Sequence, residues 1–456
     1  MEKKRTLLAR WTIEPRVMAI AWPVLLELLL SSLFVMVDMI MLGNIRPVSL
    51  SAASIASVGI TNQPLFIGLS LVQSFNVGGT AIIARYFGMG RLNRLGSVFH
   101  HVVLLSVVLI LLPLFAFAMI FAEPIMRFLG AQEDVILVGS TYFRIMHVGF
   151  LFQGLTMCAA SAMRGVGETK VPMKVNLFCN GINVIGNAVL IYGLFGLPAL
   201  GVVGAGISSA ASQLLAFFLI YRHLLSARSP VTIKNKFSFS YVTVKNLLRI
   251  GLPASLEQLA LRLGIFFFVR IVASLGTLVY AAHQIALSIL GLSFTPGQAF
   301  GIAASTLVGQ SLGEGNPKEA QLHAKSARRI GSIISSGIAV LFFFFGADLV
   351  RLYTPDEGII RNAAVALKVI ALVQPFQSSQ LILSGALRGA GDTLWPLIAT
   401  VVGVLIIRLS LASILVHGFA LGLFGAWVAV FIDQFIRWAF VQGRFQSGKW
   451  KLVRIR

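Results

Sequence analysis

The chain has 456 residues, 57% of them hydrophobic and 12% charged, with a mean hydropathy of +0.88. A soluble domain carries about 25% charged residues, so this composition excludes a fold whose surface lies mostly in water. The formal charge of +21 would suit nucleic-acid binding only as a basic stripe on a soluble fold, which the long apolar runs exclude.

A bilayer core of about 30 Å is crossed by roughly 20 apolar residues in a helix. Such runs occur, in chain order, at 17–42, 50–84, 95–121, 134–163, 171–193, 200–225, 244–275, 278–312, 325–346, 359–387, 394–418 and 420–445. None shows the two-residue alternation of a membrane barrel, so the expected fold is an all-α membrane protein with twelve transmembrane helices. Residues 1–16 are charged and no small-residue cleavage site follows span 1, so no removable signal peptide is expected.

Basic residues in short connections set orientation. The N-terminus, the connections after spans 2, 4, 6, 8 and 10, and the C-terminal tail together hold 28 of the 37 Lys and Arg residues. The opposite side holds Arg46, Arg127 and Arg351. Both termini are therefore expected in the cytoplasm, with the protein multi-pass in the plasma (inner) membrane. A missed or invented span would scramble this alternation.

The chain is also written twice. Ile20-Ala-Trp-Pro-Val-Leu-Leu-Glu27 opens span 1 and Ile250-Gly-Leu-Pro-Ala-Ser-Leu-Glu257 opens span 7, placing Pro23 opposite Pro253 and Glu27 opposite Glu257. Ala162-Met-Arg-Gly-Val-Gly-Glu-Thr169 follows span 4 and Ala386-Leu-Arg-Gly-Ala-Gly-Asp-Thr393 follows span 10. Gly201, Gly204, Ala205 and Gln213 match Gly422, Gly425, Ala426 and Gln434. Six spans per half is an even number, so the repeat is parallel, and two six-helix lobes with a cavity between them are expected. The domain division is an N-lobe at 1–225, a basic cytoplasmic linker at 226–243, and a C-lobe with its basic tail at 244–456.

Features shared by both halves point to architecture, and unshared ones to function. Asp38 in span 1 has Phe268 as its repeat partner. Carrying an ionised Asp at membrane depth costs about 2.5–3.5 kcal/mol, so it should face protein or a water-filled cavity. There it would exchange a proton, ligate a small cation, or serve as a structural carboxyl. Span 5 carries Asn176, Asn180, Asn183 and Asn187 on one helical stripe, opposite Thr400, Val404, Ile407 and Leu411 in the other half. Amide oxygens ligate cations and amides also bond neighbouring helices, so the stripe is either a polar site or interhelical glue. The Glu27–Glu257 symmetry favours a structural role, with Glu257 beside Arg262 and Arg270 as a second candidate substrate or proton site. Arg164-Gly165-x-Gly and Arg388-Gly389-x-Gly-Asp392 suit tight turns in which the following acid and Thr cap the next helix. Asp433 and Arg437 have the spacing of an i, i+4 pair. Cys158 and Cys179 are expected as apolar fillers, and no P-loop is present.

As a set, these residues resemble the multidrug and toxic compound extrusion (MATE) family over essentially the whole chain. The resemblance is carried by Pro23 with Val37-Asp-Met-Ile-Met-Leu-Gly43, by the two Arg-Gly-x-Gly turns, and by Ala281-Ala-His-Gln-Ile-Ala286 with Leu307-Val-Gly-Gln-Ser-Leu-Gly313. It implies a secondary antiporter rather than an enzyme, exporting amphipathic, cationic organic compounds in exchange for H⁺ or Na⁺ by alternating access. It maps ion coupling onto Asp38, Asn180, Asn183, Asn187 and, by a looser alignment, Ser208. With Na⁺ as the coupling ion, Asp38, Asn183 and Asn187 would be its ligands. The substrate cavity would include Asp38, Asn176, Glu257 and Arg262. The expected partners are a small amphipathic drug or toxic metabolite and the lipid bilayer, with no cofactor and no nucleic acid, in a monomer. In one branch a functional span 7 Glu lies eight residues after the proline; here that position is Leu261. The alternative from another class is a flippase of lipid-linked precursors, whose anionic substrate would need a strongly basic cavity.

Overall fold

The computed structural model describes residues 2–45, 48–226, 229–231, 233 and 237–453, without the side chains of 2–12, 48, 49 and 52. Arg46, Arg228, Lys234, Lys236, Arg454 and Arg456, all used in the orientation argument, lie outside it, as do the side chains of Lys3, Lys4, Arg5 and Arg10. Among the described residues there are helices and connections but no strand.

Each expected span is a helix. In chain order they are α1 (Glu2–Gly43), α2 (Val48–Gly88), α3 (Leu92–Ile120), α4 (Glu133–Gly165), α5 (Lys170–Tyr192) and α6 (Gly201–Leu225). The second half continues with α7 (Tyr241–Ala273), α8 (Thr277–Gly313), α9 (Pro317–Arg351), α10 (Glu357–Gly389), α11 (Leu394–Gly418) and α12 (Gly422–Gln446). Eleven of these are long and apolar enough to cross a membrane by length and composition. The twelfth, α7, is as long as α4 but carries Glu257, Arg262 and Arg270 along its length. The main difference from the sequence reading is at α1 and α9, which start about two turns or more before their apolar runs because Ala, Leu, Glu, Lys and Arg extend a helix readily into the interface.

Prolines do not interrupt the long helices: α1 runs through Pro15 and Pro23, and α7 through Pro253. Local rewinding occurs elsewhere, in π-helical turns at Val107–Leu111 in α3 and at Val401–Arg408 and Ile414–Gly418 in α11. An inserted residue of this kind re-aims the side chains that follow it.

The chain forms two compact units. One comprises residues 26–87 and 91–247, and the other 1–25, 88–90 and 248–456. They are called the N-unit and C-unit below; the chain passes between them within α1, just after Pro23. Within the N-unit, α6 packs on α4 and α5, around Leu42, Val58, Tyr142, Ile191, Val202 and Ala205. Within the C-unit, α10 packs on α8, α9 and α12. The α8–α10 contact is backbone to backbone: a Cβ on Gly385 would run into the carbonyl of Gly301, and one on Gly389 into that of Ser305. Small residues at such crossings replace the hydrophobic drive that lipid cannot supply.

Candidate functional site

The N-unit site starts at Asp38. The C-terminal half of α1 leaves Leu33, Val35, Met36 and Ile40 exposed, while Asp38 is half-buried and faces α5. Its Oδ1 accepts a hydrogen bond from Asn187 Nδ2 at 2.8 Å. The same amide nitrogen reaches Asn183 Oδ1 at 3.4 Å, and Asn183 Nδ2 donates to Ser208 Oγ at 3.3 Å and Ser209 Oγ at 3.2 Å. Ser208 in turn donates to the Asn183 carbonyl at 2.9 Å. Asn183, Asn187 and Ser208 are all buried. Gly186 lets α6 approach, because a Cβ there would overlap the Ser208 hydroxyl. One atom stands out: Asn187 Oδ1 is buried and accepts no hydrogen bond.

The structure therefore gathers Asp38, Asn183, Asn187 and Ser208 into one chain of polar contacts. Asn180, on the same stripe, makes no side-chain hydrogen bond among the described residues. Asn176 belongs elsewhere. Its Nδ2 donates to Glu27 Oε1 at 2.5 Å, and Arg164 Nη2 donates to the same oxygen at 2.9 Å. Two partners were not anticipated from sequence. Ser209 is one, and the other is Tyr192, whose hydroxyl donates to the Met41 carbonyl at 2.7 Å. The five-residue step from Asn187 to Tyr192 breaks the Asn spacing, so the stripe did not point to it.

The C-unit repeats the Glu27 arrangement. Arg388 Nη2 donates to Glu257 Oε1 at 2.6 Å, and Thr400, the repeat partner of Asn176, donates to it at 3.5 Å. Glu257 was a substrate-cavity candidate, but its carboxylate is 3% exposed and already held. Arg262 is exposed on α7, five residues further along. The symmetric Glu therefore fixes the proline-bearing helix to the Arg of the Arg-Gly turn in each half. That turn needs its second glycine, since Gly167 and Gly391 adopt φ of +88° and +86°.

The acid after each turn does not cap the next helix, contrary to expectation. Neither Thr169 nor Thr393 makes a side-chain cap bond. Instead Glu168 Oε1 lies 3.2 Å from His223 Nε2 on α6, and Arg444 Nε of α12 donates to Asp392 Oδ2 at 2.7 Å. With φ positive at the preceding glycine, the chain turns the acid across to the neighbouring helix end rather than back along its own.

Where the N-unit has Asp38, the C-unit has Phe268, whose ring lies 5.6 Å from the Arg408 guanidinium. Arg408 is the last residue of the π-helical turn at Val401–Arg408 in α11 and binds Asp433 on α12 through Nε at 2.9 Å and Nη2 at 2.5 Å. Arg437 holds the same carboxylate at 2.9 Å and 3.2 Å. The expected Asp433–Arg437 pair is thus one side of a buried triad. The first half has Val184 and Ser212 at the repeat-related places, so the two units differ in the charge carried at this depth.

The family model described as MatE matches residues 23–189 and 253–414. The chain therefore belongs to the MATE family of transporters. The probable multidrug resistance protein NorM of Thermotoga maritima is 28% identical over 443 residues, which are 96% of this chain and 93% of that protein. Crystal structures described as MATE in the straight conformation and in the bent conformation have TM-scores of 0.87 and 0.86 at 23% identity. They cover 96% and 97% of this chain and 97% and 98% of theirs, a likeness that shows the fold.

Proposed function

We propose that the protein is a secondary active multidrug efflux antiporter, exporting amphipathic, cationic organic compounds in exchange for H⁺ or Na⁺. The relative from Thermotoga maritima, with its name, supports the export of drugs. The observation that carries the coupling reading is the Asp38–Asn187 hydrogen bond, a carboxylate–amide contact found in one unit only. On this reading both termini face the cytoplasm and the protein lies in the plasma (inner) membrane as a monomer that needs no cofactor.

The chemistry of the pair suits an ion switch. An ionised Asp38 only accepts, and Asn187 Nδ2 supplies the donor. A protonated Asp38 has an O–H to donate, and the buried, unbonded Asn187 Oδ1 is the acceptor that a turned amide would offer. A bound Na⁺ would draw the Asp38 carboxylate together with the Asn187 and Asn183 oxygens, and hard cations take oxygen ligands of this kind. In each case the Asp38–Asn187 bond between α1 and α5 is remade. At the other end α1 stays fixed, because Glu27 is held by Arg164 and Asn176.

An ion drives transport only through a difference in affinity between conformations. Here the difference comes from α1: with its outer half displaced, Asp38 loses the Asn187 amide. Cationic drug and coupling ion would then compete for one carboxylate. The test is drug efflux from proteoliposomes under pH and sodium gradients imposed separately. Loss of efflux on removing only the sodium gradient overturns proton-only coupling, and full efflux by Asp38→Asn overturns the role of the acid.

A further inference from the structure

On the face of α5 opposite the Asn stripe lies a separate groove of about 650 Å³. Its walls are two stripes, Val171, Lys174, Val175 and Phe178 on α5 and Leu219, Arg222 and His223 on α6, with Ser226 just past the end of α6. The α5 stripe has i, i+3, i+4, i+7 spacing, and at about 100° per residue it points roughly 160° away from Asn176–Asn187. α5 starts and α6 ends on the same membrane face. The cations Lys174 and Arg222 therefore sit near the mouth, and Val175, Phe178 and Leu219 lie deeper.

This ordering matches a phospholipid. Lys174 and Arg222 are exposed, and neither has an acidic partner among the described residues. The one acid close by, Glu168, is taken by His223. Phe178 is 58% exposed along the apolar floor. The cationic mouth also belongs to one half only, since Ile398 and Gly443 occupy the repeat-related positions of Lys174 and Arg222. The Glu168–His223 contact beside them does have a counterpart, in Asp392–Arg444. Architecture explains the shared pair but not the unshared cations.

We propose that this groove binds a phospholipid with an anionic headgroup. Lys174 and Arg222 hold the phosphate, and one acyl chain lies along Val175, Phe178 and Leu219. Basic pockets between transmembrane helices on the cytoplasmic side recognise such headgroups, and Arg and Lys are the side chains that bind phosphate. The inference rests on the proposed cytoplasmic placement of the α5 start, and its test uses no transport assay, so the antiport reading stands or falls separately.

The experiment titrates full-length protein in detergent with dioleoylphosphatidylglycerol, dioleoylphosphatidylcholine or inorganic phosphate, following bound lipid by native mass spectrometry and the thermal midpoint. Phosphatidylglycerol should bind and raise the midpoint, phosphatidylcholine much less. K174A/R222A should weaken phosphatidylglycerol binding about tenfold or more, and K174R/R222K should retain it. A photoreactive acyl chain should label the Phe178 segment in the parent protein, which locates the site even if the alanine variant folds poorly. Equal stabilisation by inorganic phosphate, undiminished lipid binding by K174A/R222A, or labelling confined to other helices would each overturn the proposal.

Discussion

Asn187 reaches Asp38 across 149 positions of sequence, the same separation that joins Asn176 to Glu27. The two bonds lie eleven residues apart on each helix, about three turns. α1 and α5 therefore run parallel and in register, tied at one end by the Glu27 cluster and at the other by the Asp38–Asn187 contact and the Tyr192 hydroxyl on the Met41 carbonyl. At the first end a buried carboxylate, Glu27, has two donors, and at the second a half-buried carboxylate, Asp38, has one.

That asymmetry predicts separable effects along α1. On the proposed antiport reading, Asp38→Asn should fold and reach the membrane normally, since the Tyr192–Met41 bond remains, while lowering gradient-driven efflux by roughly tenfold or more. Glu27→Gln should chiefly lower stability, because it weakens the acceptor for both Arg164 and Asn176. Efflux rates and thermal midpoints measured on the same preparations check this. Equal loss of stability in the two variants would contradict it.

The repeated Glu–Arg contacts invite a cycle of substitutions. Glu257 and Arg388 are 3% and 22% exposed at their side chains, so the pair is largely removed from solvent. Arg388→Met alone should cost about 3–5 kcal/mol by leaving a buried carboxylate unpaired, whereas replacing both with apolar residues should cost less. Denaturation midpoints of the single and double variants read the difference. A double variant worse than either single one would show that the pair does more than satisfy its own charges.

Much of this was legible in the sequence because membrane crossing, charge placement and duplication are one-dimensional signals. Apolar runs mark all twelve helices, although Glu257, Arg262 and Arg270 interrupt α7, and the repeat sets Glu27 opposite Glu257, a symmetry that favours a structural role while leaving Glu257 a substrate-site candidate. The Asn stripe and Asp38 stand out because neither has a like residue in the other half. Contacts between helices that depend on side-chain phase or on turn geometry are not visible in residue spacing alone. Arg408 and Asp433 meet across two helices at the end of a π-helical turn that changes the side-chain phase, and nothing in a 3.6-residue period announces such a turn. The acid after each Gly turn was read as a cap because caps are local, but positive φ at Gly167 and Gly391 sends it to another helix.

The turns themselves make a third prediction. Gly167→Ala and Gly391→Ala place a Cβ in the left-handed region and should each cost about 1–2 kcal/mol. Gly389→Ala should cost more than either, because its Cβ would meet the Ser305 backbone rather than a yielding side chain. Thermal midpoints of the three variants give the order. If Gly389→Ala proved the mildest, the α8–α10 approach would be looser than described.

The Arg408–Asp433–Arg437 triad carries one net positive charge, with Asp433 fully buried and shared between two guanidinium groups. Charge balance decides which member matters most. Asp433→Asn leaves two buried cations facing a neutral amide and should destabilise by about 3–5 kcal/mol. Arg437→Leu leaves a neutral Arg408–Asp433 pair with both of its close hydrogen bonds and should cost less. Arg408→Leu should fall between, because it also strips the cation from the Phe268 ring. Melting the three variants side by side tests the ranking. If Arg437→Leu proved as damaging as Asp433→Asn, the second guanidinium would be satisfying a further anionic charge beyond Asp433.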